Sequence, residues 1–343
     1  MSDRRGHGAL FPSRVVVDLP NWLGDLVMAL PALQRILEAN RDGASVVLTR
    51  PSTARLVGAL FPDSEVVATA RREGAMTTGR GLRRRFGVFD LGVTFRNAAR
   101  AKVMLRTAAR STVGSRSQGG RLLLSYSPPA DRNGHQVFDQ DPLLKAVGLP
   151  PVDADWRPRF PACLEDEGRA LLARVLGGGS AVGLAPGVAG GEIKRWSPIA
   201  FGELAGRLDD TGLRPVVLVG PGEEGLARRV ADASPVEVPV LGLDQDAAGL
   251  AGLAAGLAAV VGNDSGAGHV AALAGTPVVS LFGPTDPRRT APRGSAVTLC
   301  RREVVCAPCG RRRCSEPTRG CLDDLKVDTV FDAVRPLVRE LVY

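Results

Sequence analysis

Short β-branched runs recur along this chain. Each is followed within a few residues by a glycine-containing turn and then by a helical apolar pattern. Val15-Val16-Val17 leads through Pro20, Asn21, Trp22 and Gly24 into Leu26, Val27, Leu30, Leu33, Ile36 and Leu37. The same grammar returns in "AVGLAPG" from 181, "AAVVGNDSGAGHVAAL" from 258 and "PVVSLFGPT" from 277. An uninterrupted apolar run of this length is a strand buried on both faces. A strand followed each time by a helix is the unit of a parallel sheet. The pattern predicts strands at 14–18, 45–49, 64–67, 88–94 and 111–114, with helices near 25–39, 52–60 and 98–109. It predicts a second set at 181–185, 215–219, 236–240, 258–262 and 277–281, with helices near 165–176, 197–210, 223–232, 246–255 and 266–274.

Between the two sets, "SPPADRNG" and "GLPPVDADWRPRFP" read as loop and linker around a helix at 135–147. With 343 residues the chain has room for two ordinary domains. The expected organisation is a flexible N-terminus at 1–13, one α/β domain at 14–160, a second at 161–325 and a C-terminal helix at 326–343. The longest apolar stretch, 250–262, is too short to span a bilayer. The basic N-terminus lacks a signal-peptide core, so a cytoplasmic protein is expected.

Charge is uneven. Residues 1–160 carry 24 Lys and Arg against 14 Asp and Glu, whereas residues 161–343 carry 20 against 22. Between Arg80 and Arg121 there are 11 cations and a single acid, Asp90. Such a block is either a solvated face or the footprint of an anionic partner. No aromatic RNA-binding signature accompanies it, so nucleic acid is not expected.

Four stretches carry chemistry. Asp25 opens the first helix. It either complements the helix dipole or places a proton acceptor at the carboxyl end of a strand, where open α/β sheets bind ligands. "GLAPGVAGGEIKRWSP" runs from a strand through Gly187, Gly190 and Gly191 to Lys194 and Arg195, ahead of the Ser197-Pro198 helix start. It is a flexible loop with surface cations or a diphosphate cradle, and it lacks the Gly-Lys-Ser/Thr of a P-loop. "VVGNDSGAGHVAALAGTPVVSLFGPTDP" brings Asp264, Ser265, Gly266 and His269 to a helix N-terminus, a natural anion site. "LVGPGEEGLARRV" puts Glu223 and Glu224 at another helix start, to complement the dipole or to grip ribose hydroxyls.

With "NWLGDLVMALPAL", "FRNAARAKVML" and "HQVFDQDPLLKAVGLP", these stretches resemble the lipopolysaccharide heptosyltransferases, inverting enzymes of glycosyltransferase family 9. "NWLGD" and "FRNAARA" look most like the heptosyltransferase II branch. The resemblance covers nearly all the chain after residue 13. It implies a GT-B fold, in which two Rossmann-like domains with mostly parallel sheets face each other across a cleft. It also implies an ADP-heptose donor on the C-terminal domain, a lipopolysaccharide inner-core acceptor on the N-terminal domain, and no cofactor or metal. Carried over by position, Asp25 matches the base and Lys194 the cation near the diphosphate. Gly187, Asp264, Ser265, Gly266 and His269 fall in the donor loops, with Ser265 in place of the Thr of some members. Glu223 matches the ribose-binding acid, in a loop one residue shorter here, with Glu224 the alternative. Asn97 and Arg100 are the acceptor candidates, and Arg96 and Lys102 are expected to point into the cleft beside them. The basic block is expected to meet the anionic inner-membrane leaflet.

Other readings of the same motifs are transfer from another nucleotide sugar or to another surface glycan, and a sugar-nucleotide epimerase or hydrolase on a GT-B fold. A third, suggested by the basic block alone, is a polyanion-binding protein without catalysis. One cluster stands outside all of them. "CRREVVCAPCGRRRCSEPTRGC" holds Cys300, Cys306, Cys309, Cys314 and Cys321. Its Cys306-x2-Cys309 spacing, completed by Cys314 and Cys321, suits a structural zinc staple, a disulfide pair, an iron–sulfur cluster or scattered thiols, and Arg311, Arg312 and Arg313 are expected to lower the thiol pKa values.

Overall fold

A computed structural model describes residues 11–70, 73–316 and 319–338. The expectations for residues 1–10 and 339–343 therefore lie outside the described residues. Strands β1 (Arg14–Asp18), β2 (Ala44–Thr49), β3 (Glu65–Ala68), β4 (Phe89–Thr94) and β5 (Ala109–Gly114) form the first sheet, in order β3-β2-β1-β4-β5. Strands β6 (Ala181–Ala185), β7 (Arg214–Leu218), β8 (Val240–Leu241), β9 (Ala259–Asn263), β10 (Val278–Phe282) and β11 (Val297–Arg301) form the second, in order β11-β10-β9-β6-β7-β8. Every strand pair is parallel.

The helices follow the strands. The first half carries α1 (Leu23–Ala39), α2 (Pro51–Leu60), α3 (Ala75–Phe86), α4 (Ala99–Ala108), the short α5 (Gly120–Leu123) and α6 (Asp141–Ala146). The second carries α7 (Ala162–Leu176), α8 (Pro198–Asp209), α9 (Glu224–Asp232), α10 (Ala247–Ala255), α11 (Gly266–Leu273), the short α12 (Pro287–Thr290) and α13 (Val327–Val338).

Several elements depart from the expectation: the strand expected at 236–240 is reduced to the two-residue β8, and the short α5 and α12 are additional. Helix α3 is additional: "AMTTGRGLRRRF" has two glycines and a thin apolar face of Ala75, Gly79, Leu82 and Phe86, of which only Gly79 and Leu82 are buried. Strand β11 is also additional. It lies at the sheet edge and is mostly half-buried or exposed, without the run that marks a central strand. The helix expected at 135–147 is broken into a 3-10 turn at Gln136–Phe138 and α6, where Pro142 enters the first turn.

The two halves also share a core. Leu26, Leu30 and Leu33 of α1 pack on Val15 and Val17 of β1. The same apolar cluster takes in Ala248 and Ala251 of α10 and Val270 and Leu273 of α11. Helix α1 therefore belongs to both halves, and Asp25 in its first turn lies where they meet.

A charge is buried at the carboxyl end of the first sheet. Asp18, the last residue of β1, is fully buried and accepts a hydrogen bond of 2.9 Å from Thr94 Oγ1 on β4. Arg96 lies 3.1 Å from the other Asp18 oxygen and donates from Nε to Leu19 O at 2.6 Å. Burial pushes the Asp18 carboxyl up to about 6, against the pull of Arg96, Thr94, Arg50 and Arg100. Arg96→Ala would strand this carboxylate, and breaking such a pair costs about 3–5 kcal/mol. Asp18 protonates in the native state as pH falls through about 6. The loss is therefore expected to be larger above about pH 7 than below about pH 5. Urea unfolding of the variant on both sides of that window checks it.

Candidate active site

Parallel sheets bind ligands where the strand order reverses. In the first sheet that point lies between β1 and β4, and in the second between β6 and β9. The candidates cluster there. Asp25 follows β1, and Asn97 and Arg100 follow β4. Gly187 and Lys194 follow β6, and Asp264 follows β9 directly.

Asn263, which carried no role in the sequence analysis, ties the second half's loops together. Its Oδ1 accepts from Trp196 N at 2.8 Å, and its Nδ2 donates to Pro186 O at 2.8 Å. Both ends of the β6–α8 loop are thus clamped to β9. Arg319, beyond the cysteine cluster, donates to the carbonyls of Glu192 and Arg195 and braces the same loop from outside. Held this way, the 3-10 turn at Glu192–Lys194 delivers Lys194 Nζ to Asp264 Oδ2 at 2.8 Å. Asp264 is buried, and Lys194 retains about a quarter of its side-chain exposure. A lysine ammonium has three N–H donors, so one ion pair leaves capacity for an anion.

Beside this pair, Ser265 is the N-cap of α11, and its buried Oγ has no hydrogen-bond partner. The first N–H groups of α11 and this orphan hydroxyl form a donor set for an anion. Close packing explains two glycines. A Cβ on Gly266 would meet Leu23 Cβ at 2.9 Å, and one on Gly24 would meet His269 Cδ2 at 3.1 Å. The N-termini of α1 and α11 therefore abut, one from each half. Gly187 is a third case: a Cβ there would lie 2.5 Å from Glu223 Oε1. Glu223 also accepts from Gly220 N at 2.8 Å, so it faces the β6–α8 loop, whereas Glu224 is exposed.

His269 stands apart. It is buried between α1 and α11, and burial lowers its pKa to about 4, so it is neutral near pH 7 and adds no positive charge for an anion.

Asp25 accepts a hydrogen bond of 2.8 Å on Oδ1 from Gln136 Nε2. A first-turn position favours the ionised form of Asp25 through the helix dipole, but stronger influences act on it. Burial pushes its carboxyl up, Gln136 and Lys194 pull it down, and Asp139 adds a smaller upward push. Asp25 follows Gly24, whose backbone packs on Gly266, so the start of α1 lies beside the Lys194–Asp264 pair.

On the first half's side, two expected cleft cations are structural. Lys102 is fully buried and donates to the carbonyls of Ser117 and, at 3.1 Å, Asn97. Arg96 is spent on Asp18 and Leu19. Arg100 stays exposed on α4. Asn97 Oδ1 accepts from Ser117 Oγ at 3.0 Å, and Asn97 lines a polar pocket with Ser115, Arg116, Arg132 and Asp139. A larger groove of about 1010 Å³ adjoins it, lined by Tyr126, Pro129, Phe138, Asp139, Lys145 and Leu149.

Residues 78–319 match the model of glycosyltransferase family 9 (heptosyltransferase). The chain belongs to this glycosyltransferase family. It is 25% identical over 336 residues to a lipooligosaccharide heptosyltransferase 2 of Campylobacter jejuni, covering 95% of this chain and 98% of that one. Its fold matches the ADP-heptose lps heptosyltransferase II of E. coli with TM-score 0.80 at 20% identity, over 95% of this chain and 99% of that one. It matches the E. coli heptosyltransferase WaaC, solved with ADP, with TM-score 0.71 at 19% identity, over 94% and 99%. These neighbours give the two-sheet GT-B architecture of the family.

The cysteine region of this family 9 chain departs from expectation in its thiol pKa values. Among the described residues no three His, Cys, Asp or Glu side chains are grouped as a metal ion requires. Burial pushes the Cys300 thiol up to about 11 and Cys321 upward as well, the reverse of the lowering expected from the arginines. No helix among the described residues is long and apolar enough to cross a membrane.

Proposed function

We propose that the chain transfers heptose from ADP-heptose to a hydroxyl of the lipopolysaccharide inner core, with inversion at the anomeric carbon. One observation carries this reading. The first turn of α1, which carries Asp25, abuts the start of α11, next to the Lys194–Asp264 pair, at the switch points of the two sheets. In this reading residues 14–160 hold the acceptor and residues 161–325 the donor.

The chemistry follows from the positions. Asp25 takes the proton of the attacking hydroxyl as its oxygen bonds the anomeric carbon. ADP departs from the opposite face with growing negative charge. Lys194 and the N-terminus of α11, with Ser265 Oγ and the Gly266 backbone, meet that charge. Gly187 lets the β6–α8 loop close on the nucleotide, and Glu223 behind it binds the ribose hydroxyls. His269, neutral, holds α11 against Gly24. Asn97 binds the acceptor at the polar pocket, whose wall includes Asp139, and Arg100 meets it from its exposed place on α4. The protein works in the cytoplasm. Arg83, Arg84, Arg106 and Arg121, all exposed, draw it to the anionic inner leaflet with about 1 kcal/mol each.

The donor assignment is tested by thermal-shift titration with ADP, UDP and GDP. ADP is expected to raise Tm at concentrations where the other two do not. An equal or larger response to UDP or GDP transfers the reading to another nucleotide sugar.

A further inference from the structure

Residues 134–139 form a strap that belongs by sequence to the first half but is fastened to the second. His135 Nδ1 accepts from Val137 N at 3.2 Å, which leaves Nε2 to donate to Ala291 O at 2.9 Å. Arg289 on α12 holds both carboxylate oxygens of Asp139, at 3.0 and 2.9 Å, and donates to Gly134 O. Val137 is buried and anchors the strap from below. The free reach of the strap is then one side chain, Gln136, and its amide ends on Asp25 Oδ1 at 2.8 Å.

We infer that Gln136 is a positioning residue for the base: it fixes one oxygen of the Asp25 carboxylate, leaves the other for the acceptor hydroxyl, and is itself held in place from the donor half through Arg289 and Asp139. The inference rests on the reading of Asp25 as the base.

The surrounding charges define what Gln136 does. Lys194 faces Asp25 from the β6–α8 loop and favours its ionised form, while Asp139 on the strap opposes it. Arg289 offsets the charge of Asp139. Asp264 is paired with Lys194, and His135 and His269 both have pKa values lowered by burial. Against the upward push of burial, the largest pull on Asp25 toward ionisation is the Gln136 hydrogen bond. An amide N–H donated to a carboxylate stabilises the ionised form, so removing it raises the carboxyl pKa. A hydrogen bond to a charged group contributes about 1.5–3 kcal/mol, equivalent to a shift of roughly one to two pH units.

The test is the pH profile of kcat/KM for the acceptor, at saturating ADP-heptose, for wild type, Gln136→Leu, Gln136→Glu, Arg289→Ala and Asp25→Asn. The acid limb of Gln136→Leu is expected to move up by about one unit. Gln136→Glu, nearly isosteric, is expected to move it further, because a second carboxylate then faces Asp25. Arg289→Ala is expected to shift the limb in the same direction, since Asp139 loses its counter-charge. The ADP-induced Tm shift should stay at the wild-type value in both Gln136 variants. An unmoved acid limb in both Gln136 variants, with Asp25→Asn inactive, overturns the role of Gln136 and leaves the proposed reaction standing. An unmoved limb in Arg289→Ala alone overturns the coupling through the strap. Wild-type activity in Asp25→Asn overturns the base and with it the whole inference.

Discussion

Asp25→Asn is expected to lower kcat by about 10²–10⁴-fold, the range contributed by a positioned general base. The substitution is close to isosteric. The Asn carbonyl oxygen still accepts from Gln136 Nε2, so α1 and the strap keep their places. What disappears is the capacity to take a proton from the acceptor hydroxyl. The donor groups, Lys194, Asp264 and the α11 N-terminus, lie on the other half. ADP should therefore raise the Tm of the variant as it does that of the wild type. Burial pushes the Asp25 carboxyl upward, which suits a base that must bind a proton during turnover. Wild-type turnover of Asp25→Asn at saturating acceptor would remove Asp25 from the reaction and return it to a helix-start carboxylate.

Lys194→Ala is the second large effect. A cation on a departing diphosphate acts in both the ground state and the transition state, and more strongly in the latter as charge develops. The expected result is a weaker donor KM together with a loss of about 10²–10³ in kcat, the scale seen when one donor to a developing oxyanion is removed. The structure adds a second contribution. Asp264 is buried and paired with Lys194 at 2.8 Å. Without the ammonium it becomes an uncompensated negative charge beside the incoming phosphates. Steady-state kinetics with ADP-heptose varied at fixed acceptor separates the two parameters. Unchanged values for both would make Lys194 a surface cation.

The sheet order explains how much was legible beforehand. Central strands β1, β6, β9 and β10 are apolar runs in the sequence because both their faces are covered, and each pointed to the loop behind it. Asp25, Lys194, Asp264 and Ser265 could be named for that reason: each follows such a run by a few residues. Elements with a weak periodic signal were missed, as with the glycine- and arginine-rich α3 and the edge strand β11. The direction of side chains was also not legible. Arg96 and Lys102 look like cleft cations in a basic stretch, yet one neutralises Asp18 and the other caps carbonyls in the interior. Asp18 itself sits at the end of "RVVVD" as an acid on a buried strand, a local signal that its partner lay elsewhere. Contacts between distant segments left no trace at all. Gln136 reaches Asp25 across 111 positions, and Arg289 reaches Asp139 across 150.

The central claim is that donor and base, one on each half, act together on one bond. It is tested most directly by incubating the protein with ADP-heptose and a heptose-acceptor inner-core lipopolysaccharide, and following both ADP release and acceptor mass. The account predicts one heptose added to the acceptor for each ADP released, and no ADP release when the acceptor is left out. ADP-heptose consumed at the same rate without acceptor, or ADP released with the acceptor mass unchanged, would contradict it.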